Sequence, residues 1–203
     1  MCTVRLIGLA VIIGGLAQSS PVAARTVHHK PRSVARKHVA PAKPVERHLV
    51  FAFPLDIRTF EGVSSPFGHR RLGGKKDYHS GLDLRAPTGS WVIAARDGRV
   101  SRTGYDNRCG YFVELVHDEG PHPIYTVYCH MVRSPAAVNV EPGRFVPLGS
   151  IIGEVGSTGH ATGPHLHFGV KDDQGHYLNP APLIMTPAET YELLKRRRLA
   201  SNP

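Results

Sequence analysis

Glycine and proline punctuate this 203-residue chain, at 21 and 17 positions respectively, and leave little room for long helices. In a helix interior glycine costs about 1 kcal/mol and proline about 3 kcal/mol relative to alanine. The segments between these breakers are therefore expected to form strands, turns and loops. Val92 to Ala95, Gly98 to Ser101, Arg144 to Leu148 and Ile151 to Val155 are short strand candidates. Gly110 to His117 and Ile124 to His130 are richer in Val, Tyr and Phe and suit a pleated, half-buried surface. Asp118-Glu119-Gly120-Pro121 lies between them, so the pair is expected to form a hairpin. Leu166 to Lys171 follows the glycine-rich loop Gly156 to Pro164. Only Ala188 to Leu199 reads as a helix, with Pro187 near its start and a basic last turn that suits the helix dipole. The expected fold class is all-β, with one short C-terminal helix.

The flanks differ from this central region. Arg5 precedes the uncharged apolar run Leu6 to Leu16, and Pro21-Val22-Ala23-Ala24 offers small residues for cleavage. Residues 1–24 are thus expected to be a signal peptide. The apolar run is short for a spanning helix, which needs about 20 residues, so no stable membrane span is expected after cleavage. Cys2 precedes the run and cannot become an acylated first residue after it. The expected location is exported, periplasmic or extracellular. Residues 25–48 hold seven Lys and Arg against Glu46. With Pro31, Pro41 and Pro44 they read as a disordered basic arm. Residues 49–185 form the expected central folded domain, and 186–203 a basic helix and tail.

The net charge of +9 is confined to these flanks. Residues 49–185 carry 13 basic and 13 acidic side chains. A nucleic-acid binder would want its basic patch on the folded surface, so that class is excluded. The arm itself is a spacer or a tether to anionic envelope polymers.

Cleavage after Ala24 would leave Cys109 and Cys129. Cys109 precedes one strand of the expected hairpin and Cys129 ends the other. Antiparallel pairing brings those ends together, and an oxidising compartment would join them as a disulfide.

Two clusters carry the chemistry. The first is His79-Ser80-Gly81-Leu82-Asp83 and the second is His165-Leu166-His167. Imidazole nitrogen and carboxylate oxygen are good zinc ligands, and a catalytic zinc keeps one position open for water. Residues two apart on a strand share a face, so His165 and His167 can reach one site. His79 and Asp83 share a strand face or converge from a turn. His130, in Tyr128-Cys129-His130, sits where a strand end could deliver it to the same site. Alternation turns Cys129 to the opposite face from His130.

The ordered set His79-x-x-x-Asp83, Tyr128-x-His130 and Thr162-Gly163-Pro164-His165-Leu166-His167-Phe168 resembles the lysostaphin-type zinc endopeptidases. The resemblance runs from about Ser65 to Pro180. It includes Ser65-Pro66-Phe67-Gly68, Ala86-Pro87-Thr88-Gly89 and Asn179-Pro180. It implies a compact antiparallel β-domain with zinc in a groove and peptidoglycan as the substrate. It further implies that His79, Asp83 and His167 bind zinc while His130 and His165 act as catalytic groups beside it. His165 is taken as the base and His130 as the stabiliser, roles that the sequence leaves interchangeable. One departure is Gly169 after Phe168, where an acidic residue is common. Some relatives lack ligands and activate other wall hydrolases. A non-catalytic wall-binding module is therefore the alternative function, and the complete ligand set argues against it.

Overall fold

The computed structural model describes residues 49–117, 121–132 and 140–201. The expected signal peptide and basic arm, within residues 1–48, lie outside the described residues, as do residues 118–120 of the expected hairpin connection. Twelve strands and one helix follow in order: β1 (Gly62–Ser65), β2 (Gly68–Leu72), β3 (Lys75–His79), β4 (Leu82–Arg85), β5 (Trp91–Ile93), β6 (Gly98–Asp106), β7 (Gly110–His117), β8 (Ile124–Met131), β9 (Phe145–Val146), β10 (Ile151–Glu154), β11 (His165–Lys171), β12 (Tyr177–Leu178) and α1 (Pro187–Ala200). The fold is all-β with a C-terminal helix, and every named strand pair is antiparallel.

The large sheet has the order β1-β4-β11-β8-β7-β6-β9, with β12 added to β11. Its inner face is built by strict alternation. Leu82 and Leu84 of β4, Leu166, Phe168 and Val170 of β11, Tyr128 of β8, and Val113 and Leu115 of β7 are all buried. Opposite this face lie the β5–β10 ribbon and the segment Phe51 to Leu55, which contribute Phe51, Phe53, Leu55, Val92 and Ile152 to one continuous core. Fully burying a side chain of this size stabilises by about 1.5–3 kcal/mol, so the shared face fixes which residues of each strand point outward.

Two polar groups enter the core with partners. The Tyr128 hydroxyl accepts from the Ala95 amide at 2.9 Å and from Thr126 Oγ1 at 3.1 Å. His117 bonds the Asp97 carbonyl and Thr126 Oγ1, both at 2.8 Å. The helix is anchored at both ends. Thr186 and Glu189 form a reciprocal cap with Pro187 in the first turn, which satisfies amides that would otherwise lack partners. Thr190 Oγ1 accepts from the Phe53 amide, and Arg197 pairs with Asp97 at 2.9 Å.

The sheet's other face is polar. Glu114 of β7 is 2% exposed, and it pairs with Arg102 of β6 at 2.8 Å and Lys171 of β11 at 2.6 Å. Burial works to raise its carboxyl, but the hydrogen bonds from Arg102 and Lys171 outweigh burial and hold it below the usual carboxylate range. A depressed folded value stabilises the fold above the unfolded value of about 4.3, and that contribution is lost as pH falls through the folded value. Glu114→Gln is expected to cost about 1–3 kcal/mol at pH 7, because it leaves Lys171 without its counter-charge. Urea midpoints taken from pH 7 to pH 3 should show the gap between wild type and variant narrowing as pH falls. A constant gap would mean that packing, not charge, is what the substitution removed.

Candidate metal centre

The site stands on the register between β4 and β11. Leu166 pairs with Leu84 and Phe168 with Leu82 on the core side, so Asp83 falls directly opposite His167 on the polar face. Directly opposed residues on one face have Cβ atoms about 4.5–5.5 Å apart. His79 ends β3, and the two-residue turn Ser80-Gly81 folds it back beside Asp83. Of the two arrangements that the spacing allowed, convergence from a turn is the one found. Gly81 makes that turn compatible with the sheet. A Cβ at this position would lie 2.5 Å from the Phe168 carbonyl oxygen and 2.7 Å from the His167 ring.

His79 Nε2, Asp83 Oδ1 and His167 Nδ1 form a triangle with edges of 2.9, 2.9 and 3.0 Å. His79 donates its Nδ1 proton to the Pro66 carbonyl at 2.7 Å, so its Nε2 carries a lone pair. A lone pair facing a carboxylate oxygen at this distance calls for a cation between them. Four-coordinate zinc with bonds of about 2.0–2.1 Å places neighbouring ligand atoms about 3.3–3.4 Å apart. The triangle is a few tenths of an ångström tighter than that, and the donor set fits a divalent metal of this type. Among the described residues these three form the one such group.

The surroundings support ligation. Burial is the main reason that His167 is held below its ordinary value, and a neutral imidazole is the form that binds metal. Burial also works to raise the Asp83 carboxyl, but the His167 and His79 imidazoles beside it hold it below the carboxylate range. Arg70 of β2 approaches the other carboxylate oxygen, Oδ2, at 3.5 Å, and donates to Ser65 Oγ at 2.6 Å and to Asp77 at 2.8 Å. That arrangement leaves Oδ1 for the metal. Sequence reasoning did not single out Arg70; its strand is short and polar, and nothing in Gly68-His69-Arg70-Arg71-Leu72 marks the inward residue.

His165 and His130 flank the triangle. His165 gives its Nδ1 proton to the Gly163 carbonyl at 2.8 Å, and its Nε2 lies 3.7 Å from Asp83 Oδ1. His130 gives its Nδ1 proton to the Thr158 carbonyl at 2.8 Å. Its ring centroid is 4.7 Å from that of His165 and 6.0 Å from that of His167. Burial pushes the His130 imidazole down to about 4, which keeps it neutral at pH 7. The five residues singled out in the sequence thus meet at one place on the polar face. A cavity of 710 Å³ bounded by Val50, Leu183 and Leu193 is not part of this site.

A bulge delivers His130. Tyr111 pairs with Met131 and Val113 with Tyr128, so Cys129 and His130 together oppose Phe112 alone. His130 is the one described non-glycine residue at positive φ, 62°, a conformation that costs about 1–2 kcal/mol. Strict alternation therefore fails here. Cys129 is the cross-strand partner of His167 and shares its face, and a disulfide joins it to Cys109.

Residues 77–180 match the sequence profile of peptidase family M23. The peptidoglycan DD-endopeptidase ShyC of Vibrio cholerae is 39% identical over 140 residues, covering 68% of this chain and 30% of ShyC. The chain thus spans under a third of that relative's length. A zinc-containing peptidase from Vibrio cholerae superposes with a TM-score of 0.55 at 28% identity, over 64% of this chain and 39% of that one. The catalytic domain of lysostaphin from Staphylococcus simulans gives 0.53 at 30% identity, over 62% and 92%.

Gly81 supplies a direct check on the geometry. Gly81→Ala is expected to push His167 out of register with Asp83 and to weaken divalent-metal affinity by about tenfold or more. Equilibrium dialysis against zinc measures this. Unchanged affinity would show that His167 can shift without loss of the ligand set.

Proposed function

The chain belongs to peptidase family M23, and from that premise we propose that it is a zinc-dependent endopeptidase that cuts the peptide part of bacterial peptidoglycan. The observation that carries this reading is the triangle of acceptor atoms from His79, Asp83 and His167 with two further imidazoles beside it. A non-catalytic binding module has no use for the complete triangle, nor for His130 held at positive φ next to it.

Zinc at this position would lower the pKa of a water toward about 7 and polarise the scissile carbonyl. The chain's own groups supply the rest. Asp83 and His79 are fixed by Arg70 and the Pro66 carbonyl, so the ligands are oriented before metal arrives. His165 and His130 each have the Nδ1 proton committed to a backbone carbonyl, so each exchanges protons only at Nε2. In this reading His165 accepts the proton of the attacking water. The proton that His165 takes can pass to Nε2 of His130, which then steadies the charge that develops on the carbonyl oxygen.

The chain organisation follows the same reading. Residues 1–24 direct export and are removed, and residues 25–48 are a basic spacer that meets anionic envelope polymers. Residues 49–185 are the catalytic domain, and 186–203 form the basic helix and tail. The neutral balance of residues 49–185 against the basic arm supports assigning wall affinity to the arm and chemistry to the domain.

Digestion of purified peptidoglycan fragments, with products identified by mass spectrometry, tests the function. His167→Ala is expected to lose both bound zinc and hydrolysis. His130→Ala and His165→Ala are expected to keep zinc and lose turnover by about 10²-fold or more. Full zinc occupancy in His167→Ala would overturn the ligand assignment, and near-normal turnover in either other variant would remove that residue's role. Deletion of Arg25 to Arg47 should weaken wall binding at low salt and leave cleavage of a small soluble muropeptide unchanged.

A further inference from the structure

We propose that the Cys109–Cys129 disulfide is a positioning element for His130, which makes turnover depend on the oxidised state of the chain. The proposal rests on the functional reading above and extends it.

The argument begins with the backbone of His130. Its φ of 62° is a conformation that a residue with a Cβ leaves unless its surroundings hold it there. The residue sits in a bulge, where the ladder to β7 is interrupted between Tyr111 and Val113, so regular strand pairing does not supply the restraint. Three other contacts do. The His130 amide donates to the Cys109 carbonyl at 2.8 Å. Its Nδ1 donates to the Thr158 carbonyl at 2.8 Å. The residue before it, Cys129, is bonded covalently to Cys109.

Two of these three restraints therefore run through Cys109, which stands at the tip of the β6–β7 turn. That turn has its own order. Asp106 Oδ1 accepts from the amides of Arg108 and Cys109 at 2.8 and 2.7 Å. The turn also carries the glycine-rich loop. The His160 amide donates to the Arg108 carbonyl at 3.0 Å, and the Tyr111 amide to Thr158 Oγ1 at 3.0 Å. The Gly110 and Gly159 backbones are packed so closely that a Cβ on Gly159 would lie 2.3 Å from the Gly110 nitrogen. The third restraint on His130, the Thr158 carbonyl, is thus held by the same turn. The disulfide ties this assembly to β8 one residue from the catalytic imidazole, and it is the one link there that thermal motion does not open.

A thiol reductant would cleave the S–S bond with two electrons and two protons, giving two cysteine thiols and the reductant's own disulfide. Cys129 is then free to relax toward ordinary strand geometry. His130 leaves positive φ and its ring moves away from His165, while the ligands on β3, β4 and β11 stay in place. The reduced chain keeps its metal and loses the second imidazole.

The test uses the full mature chain loaded with zinc. Cys109→Ser/Cys129→Ser is compared with oxidised wild type on a soluble muropeptide, well below the melting temperature of either. The expected result is unchanged zinc content, KM within about twofold, and kcat lower by about 10- to 100-fold, as for a misplaced reacting group. Backbone and imidazole NMR signals of His130 should shift and broaden while those of His79 and His167 do not. A bond that serves stability alone would lower the melting temperature and leave kcat and the His130 signals as they are, and that outcome overturns the proposal. If the double variant does not fold, wild type reduced with a phosphine and alkylated gives the same comparison from the native state. Inactivity of the oxidised wild type would count against the function, whereas the His130 signals decide the positioning role independently of it.

Discussion

Three of the five groups at the candidate metal centre, Asp83, His165 and His167, depend on one register, that of β11 against β4. His167 faces Asp83 because Phe168 faces Leu82 and Leu166 faces Leu84. The four apolar side chains are 4% exposed or less, and a one-residue slip of β11 would turn Leu166 and Phe168 to solvent while driving His165 and His167 into the core. The burial of four large apolar groups therefore sets the ligand geometry more firmly than any contact between the ligands. The core thus supplies much of the free energy that holds these positions together.

Much of this was legible because alternation is a local property. His165-Leu166-His167-Phe168-Gly169-Val170 reads as a half-buried strand in sequence and is one in structure. The strands Gly110–His117 and Ile124–Met131 emerge with their expected starts, since aromatic and β-branched residues concentrate there. The three strands β1 to β3 were not legible. Ser64, Arg70, Arg71, Lys75, Lys76 and Asp77 give them few apolar positions, and β2 and β3 form a largely exposed ribbon whose pairing no core demands. The turn at Ser80-Gly81 was one of two options, because a spacing of four satisfies a strand face and a turn alike. Only the clash that a side chain at Gly81 would meet distinguishes them, and that is a tertiary fact.

Alternation also explains where sequence reasoning failed. It placed Cys129 and His130 on opposite faces, as it does for any adjacent pair on a regular strand. The bulge adds a residue to β8 and so lets both turn to the polar face. No residue type in Tyr128-Cys129-His130-Met131 announces positive φ, for which glycine or asparagine would be the usual choice. Histidine at such a position is costly and contributes nothing to the core. A local rule broken at a residue with chemistry, and at no other described non-glycine position, is the pattern expected of a site shaped by function.

The two flanking imidazoles form a unit whose behaviour follows from their common tautomer. Both give the Nδ1 proton to a backbone carbonyl, so both present a lone pair at Nε2 and neither can donate from it until protonated. Their centroids are 4.7 Å apart, close enough that two positive charges would repel strongly in a partly buried place. Hydrolysis of an amide requires one proton to be taken from water and one to be returned to the leaving nitrogen. A pair that holds one proton between them, and resists a second, can do both in turn. Burial drives His130 toward the neutral form, so a proton placed on it is readily given up. In the proposed reaction, the proton taken at either Nε2 therefore has a short-lived home, and its destination is the departing amine.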